Sequence, residues 1–289
     1  MNLPTSLHKP SLRSDGIDYL VIGHLTKDLT PSGYRLGGTV SYSALTAKAL
    51  GMAPAILTAA EGDISLPELE AIPVHIKESS ESTTFQLLYT PHGRDLFLCS
   101  QASMIEFADV PLEWRNTGIV HLGPVARELD LNLVRGFPNS LVCVTPQGFL
   151  RTWGQDGKVA PCDWPEFRYV LGFADIAILS REDVNHNDTV LDEMASAVKL
   201  MVVTDSSSGC SIYWNGDIRR FAPPVVTEID ATGAGDIFAT CFLYRYKTTQ
   251  DPWESARFAT ILAAQSVTRP GLAGIPTPYE INSTEVEII

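Results

Sequence analysis

Residues 230–236 read D-A-T-G-A-G-D and run directly into I-F-A-T-C-F-L-Y. No other stretch restricts the possible folds as strongly. Gly233 and Gly235 permit a tight turn and the close approach of another atom, and the apolar string behind them has the character of a buried helix. Amides at the start of a helix point outward with the positive end of its dipole, which makes them a site for an anion. Asp236 then places a carboxylate beside that anion. Like charges repel, so a carboxylate there is a poor phosphate ligand and a good base for an attacking hydroxyl. A plainer reading of the same seven residues is a tight turn followed by an acidic residue in a helix's first turn.

The rest of the chain predicts the layered α/β frame on which such a turn would sit. Residues 17–22, I-D-Y-L-V-I, read as a buried strand ended by Gly23; residues 39–50 have helical periodicity with Gly51 as cap; residues 55–58 are the next strand. Strand, helix, strand in that order predicts a parallel sheet. Between 74 and 99 the segments V-H-I-K, T-T-F-Q-L-L-Y-T and D-L-F-L-C-S are strand-like, with P-H-G-R as a turn and no helix between them. This stretch is expected to be an antiparallel meander standing off the main sheet. Apolar strand-like runs resume at 118–122, 141–145, 176–179 and 201–204, and helices are expected over 188–199, 236–246 and 252–267. The polar opening up to Gly16 reads as a loose extension, and 17–289 as a single domain.

Composition narrows the class of partner. The formal net charge of −13 argues against a nucleic-acid backbone or an anionic membrane surface, which would repel the chain, but still allows an anionic substrate held by local amides. Five scattered cysteines with no C-x-x-C spacing predict neither a disulfide framework nor a zinc site, and the dispersed His24, His75 and His121 predict no metal cluster. No apolar leader occupies the first sixteen residues and no run of eighteen apolar residues occurs, so a soluble, cytoplasmic protein is expected, as a monomer or homodimer.

Several segments together resemble the ribokinase-like, PfkB-type carbohydrate kinases. D-A-T-G-A-G-D-x-F is similar to that family's C-terminal signature, and L-G-G-T-V-S-Y-S-A-L-T-A-K-A-L-G to its N-terminal di-glycine and following helix. Between them A-D-I-A-I-L-S-R-E-D and V-V-T-D-S-S-S-G-C-S-I-Y resemble the magnesium and nucleotide segments, and near the end A-A-Q-S-V-T-R-P-G resembles the helix and loop that close over the adenine and a monovalent cation, so the likeness spans about residues 17–280. It implies a three-layer α/β/α fold with a mostly parallel sheet and a small, reduced β lid, its strands within 74–100.

The resemblance also implies roles. Asp236 would be the catalytic base and Gly233, Ala234 and Gly235 the anion hole, while Asp28, Gly37, Gly38 and Tyr42 would meet the acceptor; Gln147 and Arg151, which follow a buried strand, are expected to line the same pocket, a solvated Arg151 being the plainer reading. Thr204, Ser206 and Gly209 would lie on the nucleotide side. ATP and magnesium would be the cofactors, and Asp230 and Thr232, near 269–271, would offer oxygens to a potassium ion. The chain departs from the family pattern in four places, one of them Ser206 where the nucleotide turn usually has glycine. Ser180 and Asp183, with Glu182 adjacent, stand where the family has N-x-x-E for magnesium; Tyr42 stands where many sugar kinases have Asn; and few residues separate Asp28 from Gly37. The expected activity is phosphorylation of a small sugar or a cyclic polyol, inositol first. A nucleoside kinase and a non-catalytic nucleotide- or sugar-binding sensor are the alternatives.

Overall fold

Strands with side chains buried on both faces build the centre of the molecule. The computed structural model describes residues 16–285 except 32, 63, 91 and 92. The extension expected over residues 1–15 and the first two residues of the P-H-G-R turn lie outside the described residues. In chain order the strands are β1 (Tyr19–Ile22), β2 (Thr26–Thr30), β3 (Gly33–Gly37), β4 (Pro54–Ala60), β5 (Val74–Glu78), β6 (Thr83–Thr90), β7 (Gly93–Ser100), β8 (Ile119–Leu122), β9 (Leu141–Val144), β10 (Arg151–Trp153), β11 (Val159–Pro161), β12 (Ile176–Ser180), β13 (Leu200–Thr204), β14 (Cys210–Trp214) and β15 (Asp217–Phe221). The helices are α1 (Thr39–Ala49), α2 (Phe167–Phe173), α3 (Asp188–Ala195), α4 (Ala234–Thr249), α5 (Pro252–Ser266) and α6 (Pro278–Thr284).

The main sheet runs β15-β14-β13-β12-β9-β8-β1-β4-β5, parallel from β13 to β5 and closed on the other edge by the antiparallel β14 and β15. Its alternating side chains feed two cores, as the period of two in a strand requires. Tyr19 and Val21 of β1 point to the layer of α1, α4 and α5; Leu20 and Ile22 point to the layer of α2 and α3. The three-layer α/β/α fold is as expected. The helix α5 starts where local chemistry sets it, with Pro252 in its first turn and the Asp251 carboxylate accepting the Trp253 and Glu254 amides.

A second sheet, β3-β2-β6-β7, forms the lid. Of the strands within 74–100, where the lid was expected, β6 and β7 lie in this second sheet. The hairpin β2–β3 supplies the other half, and β5 belongs to the main sheet, parallel to β4. The hairpin escapes pattern reading because most of its side chains are partly or fully exposed, so no alternation of apolar residues marks it. The β5 strand misleads for another reason: its crossover from β4 uses a short 3-10 turn (Pro67–Leu69), not an α-helix.

Asp28 pairs directly with Arg35 across the hairpin and with Phe85 of β6, so these three share one lid face. Phe85 and Leu98 on that face pack against Val125 and Ala126 of the core, which identifies it as the inward face. A small hairpin, β10–β11, supports the far edge: Leu98 N–H donates to Gly157 C=O at 2.9 Å, and Lys158 pairs with Asp95.

Candidate active site

The carboxyl ends of β1, β8, β9, β12 and β13, the inward lid face and the start of α4 converge on one cleft. Crevices at the carboxyl ends of strands are the usual ligand sites of open parallel sheets. Gly233 is the N-cap of α4 with φ 76°, a conformation that favours glycine. A Cβ there would also fall 2.1 Å from the ring of Tyr42, whereas one on Gly235 would meet nothing within 4 Å. The turn therefore rests on Tyr42 and opens at Gly235. Ala234 N–H is held by Ala231 C=O at 3.2 Å, so the amides of Gly235 and Asp236 are the ones left open at the helix start.

Asp236 sits in the first turn of α4, open to the cleft and enclosed elsewhere. Burial pushes its carboxyl up to about 6; a hydrogen bond from Thr39 and the charge of Arg151 act against that shift, and Asp183 acts with it. The helix behind it is tied to the sheet by a polar chain. Thr240 Oγ1 donates to Asp236 C=O at 2.9 Å and meets the Tyr19 hydroxyl at 3.1 Å; that hydroxyl meets His121 Nδ1 at 2.7 Å, and His121 Nε2 meets Thr145 Oγ1 at 2.9 Å. Burial depresses His121 to about 3, so it is a neutral link between four elements. His24, also buried, bridges Thr83 Oγ1 and Ser103 C=O, and its backbone N–H joins those of Val125 and Ala126 on the buried Glu128 carboxylate.

The di-glycine shapes the acceptor side. Gly38 caps α1 at φ 85°, and a Cβ on it would fall 2.4 Å from His24 C=O. A Cβ on Gly37 would fall 2.2 Å from Asp28 Oδ2, so the Asp28 carboxylate lies directly against that backbone. Asp28 accepts a hydrogen bond from Thr26 Oγ1 at 2.9 Å. Burial raises its pKa, opposed by Thr26, Arg35 and Arg151. Tyr42, expected to meet the acceptor, is only 4% exposed and its ring lies beneath Gly233. Its hydroxyl end reaches toward Gly271. Asp230 accepts from Thr232 N–H and Gly271 N–H, both at 2.9 Å; burial raises its pKa, but these bonds and Arg35 outweigh that and hold it below the usual value.

On the opposite wall, Asp183 follows β12. Its carboxylate accepts Ser180 N–H at 2.8 Å, which makes a reciprocal cap with the Ser180 hydroxyl, and receives Gln147 Nε2 at 3.3 Å. Burial raises its pKa; the Ser180 amide, Arg151 and Gln147 oppose the shift. Arg151 begins β10, donates to Val125 C=O at 3.3 Å and acts electrostatically on Asp28, Asp183 and Asp236 together. Glu182 is exposed, so Asp183 is the inward member of the pair. Thr204, Ser206 and Gly209 lie at and beyond the end of β13, where Thr204 Oγ1 donates to Leu179 C=O of the neighbouring strand.

Two site residues escaped the sequence reading. Thr39 could have been found from its position immediately after the di-glycine, at the start of α1. Arg35 carried no signal, since its strand has no recognisable pattern. Among the described residues no group of three or more His, Cys, Asp or Glu side chains is placed to hold a metal ion, and no helix is long and apolar enough to cross a membrane.

Residues 166–278 match the profile of the pfkB family carbohydrate kinase. That segment is of the pfkB family type, and it sits within a ribokinase-like fold. It is 32% identical to the probable fructokinase-5 of Arabidopsis thaliana over 37% of this chain and 35% of the relative. It is 28% identical to the inositol 3-kinase of Zea mays over 47% of this chain and 35% of the relative. These matches thus span little more than a third of the plant proteins. The fold is also that of a pyrophosphate-dependent kinase in the ribokinase family, solved with a pyrophosphate analog and myo-inositol: TM-score 0.76, 20% identity, 92% of this chain and all of the other.

Proposed function

We propose that this protein is a pfkB-family kinase that transfers the terminal phosphoryl group of ATP to a hydroxyl of a small sugar or cyclic polyol. The observation that carries this reading is the Asp236 carboxylate, partly enclosed beside the amides of an open helix N-terminus and faced by Arg151. The acceptor hydroxyl would lie between Asp28 and Asp236. As its oxygen bonds to phosphorus, the bond to the bridging oxygen of the donor breaks, and the hydroxyl proton passes to Asp236. The amides of Gly235 and Asp236 meet the charge that develops on the phosphoryl oxygens. Magnesium fits the site in a limited way. Asp183, already fixed by Ser180 and Gln147, would hold it through water, with donor phosphates completing a shell that the protein alone does not supply. When bound, the ion neutralises phosphate charge.

Myo-inositol is the first acceptor to test. Tyr42 gives that order no support, because its ring is buried under Gly233. The support is the likeness to plant inositol 3-kinases and to a fold neighbour that holds myo-inositol. Because that neighbour uses pyrophosphate, both donors belong in the assay. The deciding experiment is a panel of inositols, ketohexoses, ribose and nucleosides with magnesium and either ATP or pyrophosphate, reading phosphorylated product by mass. Wild type should phosphorylate a sugar or polyol, and Asp236→Asn should lower turnover by about two to four orders of magnitude with donor affinity kept. A variant that keeps more than about a tenth of wild-type turnover, with chemistry limiting, would remove Asp236 as the base. Product with nucleosides alone would move the substrate class.

A further inference from the structure

The lid carries a cation that no signature of the chain marks. Arg35 stands on β3, the outer strand of the lid sheet, directly opposite Asp28 and on the face whose Phe85 and Leu98 press against the core. Its side chain is exposed, and its guanidinium makes no hydrogen bond or ion pair among the described residues. That is unusual for a guanidinium on the inward face of a site rich in acid. It lies within electrostatic reach of Asp28 on the lid, Asp230 on the core and the Tyr42 hydroxyl between them. Those groups are themselves anchored. Asp28 rests on Gly37, Tyr42 supports Gly233, and Asp230 accepts the Gly271 amide. Arg35 therefore overlooks the boundary between the acceptor side and the anion turn.

Charge decides what it would bind there. Four carboxylates, Asp28, Asp183, Asp230 and Asp236, surround the path of a multiply anionic phosphoryl group. The core side offers the first-turn amides of α4 and Arg151. A neutral polyol needs hydrogen-bond acceptors, and Asp28 supplies them, while a planar guanidinium matches phosphate oxygens. We propose that Arg35 is a catalytic residue of the lid, which grips the phosphoryl group in transfer from the side opposite Arg151 once acceptor is in place. The inference rests on the kinase reading and extends it. A cation delivered by the lid completes the charge balance only when the cleft is covered, which favours transfer to the acceptor over transfer to water.

The test compares Arg35→Gln and Arg35→Lys with wild type, using the acceptor and donor found in the panel. Arg35→Gln should lower kcat about 100-fold or more with the acceptor KM within about threefold, and Arg35→Lys should recover part of that loss as a point charge. Calorimetry with magnesium and myo-inositol, comparing a non-hydrolysable ATP analogue with ADP, reads the same contact without turnover. In Arg35→Gln the preference for the triphosphate should shrink about tenfold. Circular dichroism melts should agree among the three proteins, since Arg35 is exposed. An unchanged kcat and an unchanged triphosphate preference would overturn the assignment. So would a loss confined to acceptor KM, which would make Arg35 an acceptor ligand. If wild type phosphorylates nothing, the kinase reading fails by itself, and the binding comparison still decides whether Arg35 grips the terminal phosphate.

Discussion

Asp236 faces opposite demands from catalysis and from folding. A base must be ionised, so kcat/KM for the acceptor should fall on the acid side with an apparent pKa near the value of about 6 to which burial pushes this carboxyl. Its neighbours in that titration are Arg151, Asp183, Thr39 and the Tyr19 and Tyr42 phenols. Stability runs the other way. A carboxyl whose folded pKa lies above its unfolded value of 3.8 favours the native state below pH 4, and that contribution is lost as pH rises to about 6. Asp236→Asn should therefore melt close to wild type at pH 4 and be more stable at pH 8, by up to about 3 kcal/mol. Equal stabilities at pH 8 would refute the raised pKa. The two glycines of the turn should also separate. Gly233→Ala meets the Tyr42 ring at a positive φ and should cost about 2–3 kcal/mol or more, while Gly235→Ala points into open space and should leave the melting temperature nearly unchanged.

At the scale of elements, the loop after α5 changes the expectation for potassium. The Arg269 guanidinium donates to Ala273 C=O and Gly274 C=O and forms a two-pronged pair with Glu280, while Val267 C=O accepts the Ile229 and Asp230 amides. The carbonyls of Val267, Ala273 and Gly274 are thus committed to backbone amides and to a fixed cation beside the Asp230 and Thr232 oxygens expected to meet potassium. Potassium should accordingly change kcat less than about twofold relative to a large organic cation at equal ionic strength, and a stronger stimulation would show that this loop rearranges. Asp28→Ala tests the hairpin at the same scale: kcat/KM for the acceptor should fall about tenfold or more with ATP affinity intact. How much of this was legible depended on burial. The fully buried strands β1, β4 and β8 and the nearly buried β12 announce themselves as apolar runs, and the two glycine signatures mark both halves of the site. The hairpin β2–β3 is half exposed and so patternless, which hid Arg35 and left the strand that carries Asp28 unrecognised. The role of Tyr42 was hidden because its partner, Gly233, is remote in sequence and the contact exists only in three dimensions.

For the whole molecule, the charge of −13 acts on every anionic donor that approaches. Attraction inside the cleft is local, and repulsion outside it is long-ranged and screened by salt. Raising ionic strength from about 20 to 200 mM should raise kcat/KM for the donor by about twofold. A steep fall would reveal a basic funnel that the charge distribution does not predict. The support of the lid has a different consequence. One side of that sheet is stitched to the β10–β11 hairpin and to the Val125 and Ala126 patch, while β3 ends the sheet on the other side. On the proposed kinase reading, acceptor entry and product exit would then both run past β3. Amides of β2 and β3 should then lose protection in hydrogen exchange well before those of β6 and β7. A ligand that wedges under β3 would act as a doorstop, blocking turnover by keeping the protein from shutting, without displacing the donor.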